Sequence, residues 1–491
     1  MPNLLEKIDF GNEAGDDADL DDLANYFVKQ SQFSKHVDSK QKILVATAKK
    51  GVGKSALLSW IAYSVAQTDR DALVIKVRGA DLVRSKFKLT SELSTPNDHI
   101  DDWMRRICAL VNRQLALKLK VALTDDKITL VETAEIEGYK SRNLVGSLLD
   151  RFERVLGDKQ PKKLAIKDEI QILKRVKNRR VWILIDDLDA TFQNTAKESL
   201  EIATFFSACR YLVQDVKDVV FRITMRTDVW TIIRRYDESL DKVEQYVSNI
   251  LWSQRDFLRL LYLRVRTNLV RLDIAVPVDN GNTAAEEKVL HKIFAETMDW
   301  ASKKQQAYKV IYTLAYERPR WGIQLCKLAQ ESALRHQSST ITKEHIDEVW
   351  GEYGAKRIAD LVAEHKHQCP QVEELVNGFR GAERLMTRDQ LFNWINNRIA
   401  NHLAAHIEGQ IVRSPMDIAH FLYRLGFIVA RSDRDDGSYE HYTFDQMPDF
   451  LSSRTDDDFG LKWEIHPCYR EALDIKKLNA SHKERFGRLR Q

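Results

Sequence analysis

The chain has 491 residues, enough for about three domains at roughly 150 residues each. Its 19 glycines and 9 prolines are about half the usual share, which excludes collagen-like and low-complexity classes and favours long helices over tight turns. The 76 lysines and arginines nearly balance the 72 aspartates and glutamates, which excludes a chain that binds nucleic acid through basic charge along its whole length. Five cysteines without a Cys-x-x-Cys pair fit a reducing compartment. No basic-then-apolar leader and no apolar run near membrane length occurs, so a cytoplasmic location without membrane contact is expected.

Taken in chain order, residues 1–40 form an acidic N-terminal segment, with eight carboxylates against one lysine in the first 22 positions. Leu20, Leu23, Tyr26 and Phe27 fall at helical spacing there. Residues 41–272 read as an α/β core. Lys42–Ala48 is a buried strand followed by a glycine turn and a helix from Lys54, and Ala72–Val77 is a second strand. Residues 97–180 read as mostly helical, with Trp103, Ile107, Leu110 and Leu117 on one stripe and a further helix around Leu144–Leu156. Val181–Ile185 and Val219–Met225 are two more buried strands. Strands separated by helices predict a parallel sheet covered on both faces.

From Phe257 to about Phe379 the pattern predicts nearly continuous helix, broken at Asp279–Asn282, and residues 273–380 are read as a helical lid domain. Residues 381–475 change period, with helices around Leu391–Ile399 and Ile418–Leu425 and strand-like segments near Phe427, Tyr442 and Trp463–Ile465. That order suggests a winged helix with Arg431–Gly437 as its wing, although Asp417–Arg424, its recognition-helix candidate, is hardly basic. Residues 476–491 form a tail with six basic residues against one glutamate.

The chemistry concentrates in Ala48-Lys49-Lys50-Gly51-Val52-Gly53-Lys54-Ser55, which follows a strand and opens a helix. It is a G-x-x-x-x-G-K-[ST] phosphate loop with alanine at the first glycine position. Gly51 and Gly53 let successive N–H groups of the segment from Lys50 to Ala56 curl towards a polyphosphate, and the helix N-terminus adds its positive end. Lys54 is a point charge for the outer phosphates, and the Ser55 hydroxyl is a Mg²⁺ ligand candidate. ATP and Mg²⁺ are thus the expected cofactors. Ala48 is tolerated if its φ is negative and strained if it is positive.

A second strand has to deliver a carboxylate to the metal, and Trp182-Ile-Leu-Ile185 followed by Asp186 and Asp187 does so. Asp186 is expected to hold Mg²⁺, and Asp187 stands where many ATPases use glutamate to polarise the attacking water. The shorter side chain predicts slow or conditional hydrolysis. Asp189 is either part of the metal shell or a turn residue capping the next element. The next strand ends Thr224-Met225-Arg226 beside the expected nucleotide, so Thr224 or Arg226 either senses the γ-phosphate or Arg226 forms a surface salt bridge. Arg234 and Arg235 are candidate arginine fingers for a neighbouring subunit, or a solvated helix face. Arg318 or Arg320, flanking Pro319 at a helix start, are candidates for reaching phosphate.

These residues resemble bacterial P-loop ATPases of the AAA+/STAND group, especially KAP-like ATPases. Phe10–Asp17 is similar to the start of an ATPase family found among phage-defence genes. The resemblance covers roughly residues 8–335 and implies an ATPase core with a parallel sheet, a helical lid, and often a winged helix. It implies oligomerising switches or proteins that load others on DNA. Expected partners are further copies of the chain, an effector protein, and nucleic acid.

Two further features carry weaker signals. Lys159–Arg180 holds nine basic residues against two acidic ones, either a dock for nucleic acid or an acidic partner, or a solvated loop. His365-Lys-His-Gln-Cys369 offers three potential zinc ligands and no paired fourth. No nuclease, protease or deaminase constellation occurs. A Mg²⁺-dependent switch ATPase is therefore expected, with a DNA-loading initiator or a non-hydrolysing scaffold as alternatives.

Overall fold

The computed structural model describes residues 3–13, 20–84, 95–125, 180–190, 192, 195–234, 236, 240–279, 281–301, 303–434, 439–452 and 460–476. Most of the basic run 159–180, the helix expected near 144–156, the tail beyond Lys476, the tip of the expected wing and Arg235 lie outside the described residues. The chain divides into two compact units, Ala14–Leu251 and Met1–Glu13 with Trp252–Gln491.

The first unit is built on five parallel strands, β1 (Ile43–Thr47), β2 (Leu73–Arg78), β3 (Val181–Asp186), β4 (Val219–Met225) and β5 (Val247–Asn249), in the order β2-β3-β4-β1-β5. Of the three inner strands, β1 and β4 are buried along their whole length and β3 in all but its last residue, which is why they read as unbroken apolar runs. Edge strand β2 instead exposes Lys76 and Arg78, charges that discourage pairing with another chain. The four expected strands are present. β5 was not visible in the sequence, because Val247-Ser-Asn249 has neither length nor periodicity.

Helices flank the sheet for identifiable local reasons. Ala196–Asp215 starts on a capping box between Thr195 and Glu198, which satisfies two otherwise orphaned N–H groups. It packs against Pro96–Asp125 through Trp103, whose ring meets Phe205 at 5.2 Å and whose indole N–H donates to the Glu201 carbonyl at 2.6 Å. The buried Arg106 guanidinium joins Asp102 and Glu201 at the same contact, so three charges are removed from water together. Leu20–Tyr26 forms the short helix expected from its spacing. Just beyond it, Phe27 stacks on Trp60 of the helix Lys54–Thr68 at 5.1 Å.

In the second unit, helices Gln254–Arg271, Thr283–Leu290, Ala307–Ala315, Pro319–Arg335 and Lys343–His365 make up the helical part. The expectation of nearly continuous helix is corrected by an antiparallel hairpin, β6 (Thr297–Trp300) and β7 (Lys303–Gln306). Its period of two is legible only in hindsight: Met298 is buried between exposed Thr297 and Asp299. The turn residue Ala301 adopts φ 49°, a conformation for which alanine gives no sequence signal. Towards the C-terminus, β8 (Leu385–Thr387), β11 (Ile428–Asp433), β12 (Tyr439–Tyr442) and β13 (Lys462–Ile465) form an antiparallel sheet ordered β12-β11-β13-β8. A separate hairpin joins β9 (Ala405–Ile407) to β10 (Gln410–Val412). Helices Arg388–Ile395 and Pro415–Arg424 accompany that sheet, close to their expected positions.

The acidic N-terminal segment is not one piece. Its first residues belong to the second unit, where Asn268 donates to the Asp9 carbonyl at 2.7 Å and Arg264 to the Phe10 and Asn12 carbonyls. Residues from Leu20 onward belong to the first. The compact units part at Leu251.

Candidate functional site

All five strands of the first unit run parallel, so their carboxyl ends lie along one edge of the sheet. Ligands of open α/β sheets bind there. β1 delivers the phosphate loop, β3 the paired carboxylates, and β4, hydrogen-bonded between them, the Thr224–Arg226 end.

Within the loop, Gly51 has φ 80° and Gly53 φ 108°. No atom lies within 4 Å of where a Gly53 Cβ would sit, so its glycine is required by the backbone angle and not by space. Ala48 has no positive φ, is 1% exposed, and donates its N–H to the Met225 carbonyl at 3.1 Å. The strain that alanine threatened at this position does not arise. Lys50 is exposed, Val52 buried, and Ser55 and Ala56 half-buried.

Lys54 opens the helix Lys54–Thr68 and is only 7% exposed. The ammonium lies 3.7 Å from the Asp187 carboxylate, and its aliphatic stem is covered while the charged end finds a partner.

The carboxylates are held with precision. Ser55 hydrogen-bonds the Asp186 side chain, and the Thr224 hydroxyl donates to Asp186 Oδ1 at 2.5 Å. The same Thr224 oxygen accepts the Asp187 backbone N–H at 3.3 Å. Thr224 therefore spends both donor and acceptor on the two residues. The Asp186 carboxyl is raised above its ordinary value, by burial first and then by the Asp187 charge, against the opposing pull of Ser55, Thr224 and Lys54. A carboxylate destabilised in this way gains from a nearby cation. Asp187 itself is half exposed and sits at φ 48°, a left-handed conformation that aspartate tolerates better than most residues.

Arg226 is turned towards carboxylates. Its guanidinium makes two hydrogen bonds to Asp228 and lies 3.8 Å from Asp189 Oδ2, which also accepts the Arg226 N–H at 3.1 Å. Asp189 is 2% exposed, with its pKa pushed up to about 6 by burial, against Lys54 and Arg226. It ties β3's exit to β4's exit. The helix that follows it is capped by Thr195 instead. Arg234 closes the helix Thr227–Ile233 and is half exposed, 3.7 Å from Glu244.

In the second unit, Arg318 is 3% exposed and donates to the buried Glu364 at 2.9 Å, with its guanidinium over the Trp321 ring. That corrects the expectation that Arg318 is available to phosphate; Arg320, two residues on in the first turn of the helix, is half-buried. His365 and Cys369 are buried, and among the described residues no group of three or more histidines, cysteines or carboxylates is placed to hold a metal ion. A helix long and apolar enough to cross a membrane is likewise absent among the described residues.

The strand order, the loop at the end of β1 and the carboxylate pair at the end of β3 make the first unit an α/β P-loop NTPase fold, accompanied by a largely helical second unit. The donor set fits a magnesium–nucleotide pair. Ser55 and Asp186 already share a hydrogen bond where a hard, oxygen-seeking cation would be held. The Gly51–Ser55 curl leads into a helix N-terminus suited to phosphate.

Residues 266–362 match the family described as the FunZ-associated C-terminal helical domain. A curated relative, the putative transposon gamma-delta 80.3 kDa protein of Escherichia coli (strain K12), is 22% identical over 421 residues, 83% of this chain and 53% of that protein. The chain thus spans about half the length of that relative. Similar solved structures include the Aeropyrum pernix ORC2 protein in its ADPNP-ADP complexes (9% identity, 92% of this chain and 91% of the other, TM-score 0.38). Pyrobaculum aerophilum Cdc6p (8%, 93% and 96%, 0.32) and Drosophila ORC bound to DNA (12%, 95% and 92%, 0.30) are further ones. At TM-scores below 0.5 none of these likenesses bears on the fold assignment, which rests on the chain's own sheet.

Proposed function

We propose that the chain is a Mg²⁺-dependent ATP-binding and ATP-hydrolysing switch of the AAA+/STAND kind. In this reading it oligomerises and passes its nucleotide state to an effector protein. The observation that carries this reading is the convergence of Lys54, Ser55, Asp186, Asp187 and Thr224 within single hydrogen-bond or ion-pair distances. Lys54 leaves Asp187 for the outer phosphates when nucleotide binds, and Ser55 with Asp186 holds the metal. Bound by Ser55 and Asp186, Mg²⁺ would supply charge neutralisation on the phosphates. Asp187 orients the attacking water and takes up its proton. A role in phage defence belongs to this proposal and rests on the sequence resemblance alone.

A second reading is a DNA-loading, initiator-like ATPase. What favours it is the helix, strand, two helices and antiparallel sheet from Val372 to Ile465, an order compatible with a winged helix. Its helix Pro415–Arg424 pairs its terminal Arg424 with Glu408 and carries Asp417 in its first turn, so protein contact suits it as well as DNA does.

The test is nucleotide binding and phosphate release by the full chain and by Lys54→Ala. Binding of ATP by the wild type with loss of at least tenfold in affinity in the variant is expected, because the point charge on the outer phosphates is gone. Equal affinity of the two chains removes the assignment. Duplex DNA affinity that falls steeply between low and high salt favours the second reading.

A further inference from the structure

The register of the sheet sets Arg78, the last residue of β2, beside Asp186. The next residue, Gly79, is buried and opens the short helix Gly79–Arg84. A Cβ on Gly79 would lie 2.2 Å from the Leu188 Cα, 2.5 Å from the Leu188 nitrogen and 2.7 Å from the Asp187 carbonyl oxygen. All three are backbone atoms, which cannot rotate aside as a side chain would. Gly79 has no left-handed φ of its own, so its glycine serves the chain passing over it and not its own conformation.

That chain carries Asp187 at φ 48°. A non-glycine residue in this region persists only where its surroundings over-determine it. Three contacts do so here: the Asp187 N–H donates to Thr224, the Leu188 side chain is fully buried, and the Gly79 backbone closes the remaining side. The short helix is itself fixed at its far end, where the Arg106 guanidinium donates to the Leu82 and Val83 carbonyls at 3.4 Å each. Arg106 is held in turn by Asp102 and Glu201.

We propose that Gly79 is a positioning residue for Asp187: the helix Gly79–Arg84, anchored on Arg106, is the wall that keeps the Asp187 carboxylate aimed at the nucleotide edge of the sheet. The inference rests on the ATPase reading above. It predicts that a methyl group at position 79 displaces the Asp187–Leu188 backbone, while the phosphate loop on the opposite side of β4 keeps its shape.

The experiment compares ATP affinity and kcat of wild type and Gly79→Ala in Mg²⁺. A fall in kcat of at least tenfold, with the dissociation constant for ATP within twofold of wild type, is expected. An unchanged kcat, or affinity and kcat lost in equal measure, overturns the proposal. If Gly79→Ala does not fold, Leu82→Ala takes its place: it loosens the same helix without a clash and is expected to show the same split. Unchanged kcat in Leu82→Ala overturns the proposal equally. A wild-type chain that turns over no ATP removes the proposed function and this inference with it. A wild type and a Gly79→Ala that turn over ATP alike remove this inference alone.

Discussion

At the scale of single residues, the two carboxylates that follow β3 have opposite surroundings. Asp186 is largely covered and receives the Thr224 hydroxyl, whereas Asp187 is half exposed and faces the Lys54 ammonium. Neutralising them one at a time should separate metal holding from water activation. Asp187→Asn is expected to keep ATP affinity while turnover drops about a hundredfold or more, the usual worth of a general base. Asp186→Asn is expected to weaken Mg²⁺-dependent ATP binding as well. Binding titrations with and without Mg²⁺, beside single-turnover hydrolysis, check this, and indistinguishable variants would dissolve the separate roles. Both aspartates, Lys54 and Ser55 were legible in the sequence, because strand–motif–helix spacing alone marks them. The burial of Lys54 and the double use of Thr224 were not, since each depends on a strand far away in sequence.

At the scale of elements, the segment preceding β1 is clamped to the sheet by an arginine that donates to its backbone carbonyls. Arg222, fully buried in β4, donates to the carbonyls of His36, Asp38 and Gln41 at 2.6 to 2.8 Å and lies against the Trp182 ring. The clamp buries His36, whose pKa falls to about 3 through burial first and then the charges of Arg222 and Lys35. The sign follows directly. The unfolded chain binds a proton near pH 6.5 and the folded chain only near 3, so stability is present above 6.5 and is lost as pH falls between these values. At pH 5 the loss should be about 2 kcal/mol, at about 1.4 kcal/mol per pH unit. Asp189, raised to about 6, works in the opposite sense, its stabilisation being lost as pH rises through 6. Urea unfolding of wild type against His36→Gln at pH 7 and pH 5 isolates the histidine: the variant should lose less stability on acidification. Parallel losses would assign the slope to other groups.

At the scale of the whole molecule, the proposed switch requires neighbours. Arg234 is half exposed at the end of the helix Thr227–Ile233, with the half-exposed Glu244 at 3.7 Å. Such a surface pair is held weakly, by about 0–1 kcal/mol, so a phosphate across an interface can outcompete it. Specific activity should rise with protein concentration. Arg234→Ala should lower turnover without changing ATP affinity, and mixing it with Lys54→Ala should restore part of the activity, one chain giving the arginine and the other the phosphate loop. Flat activity on dilution with no rescue on mixing would show a site complete within one chain. Sedimentation with and without ATP reads the assembly itself.

The sequence by itself determined what is local. Four of the five parallel strands, the phosphate loop, the helix after it and the carboxylate pair all announce themselves through unbroken apolar runs and fixed short spacings. Tertiary structure alone decided what depends on distant chain segments meeting. β5 exists only because β1 offers Val247–Asn249 a pairing edge. The hairpin Thr297–Gln306 turns on an alanine held at φ 49° by its surroundings. Met1–Glu13 leaves its sequence neighbours for the helix Gln254–Arg271, because buried Arg264 and Asn268 there need the carbonyls of Asp9, Phe10 and Asn12. Arg318, identical in sequence character to Arg320, is withdrawn from solution chemistry by a glutamate 46 residues away. Apolar periodicity and motif spacing are properties of a short window, and which buried donor meets which acceptor is a property of the folded chain.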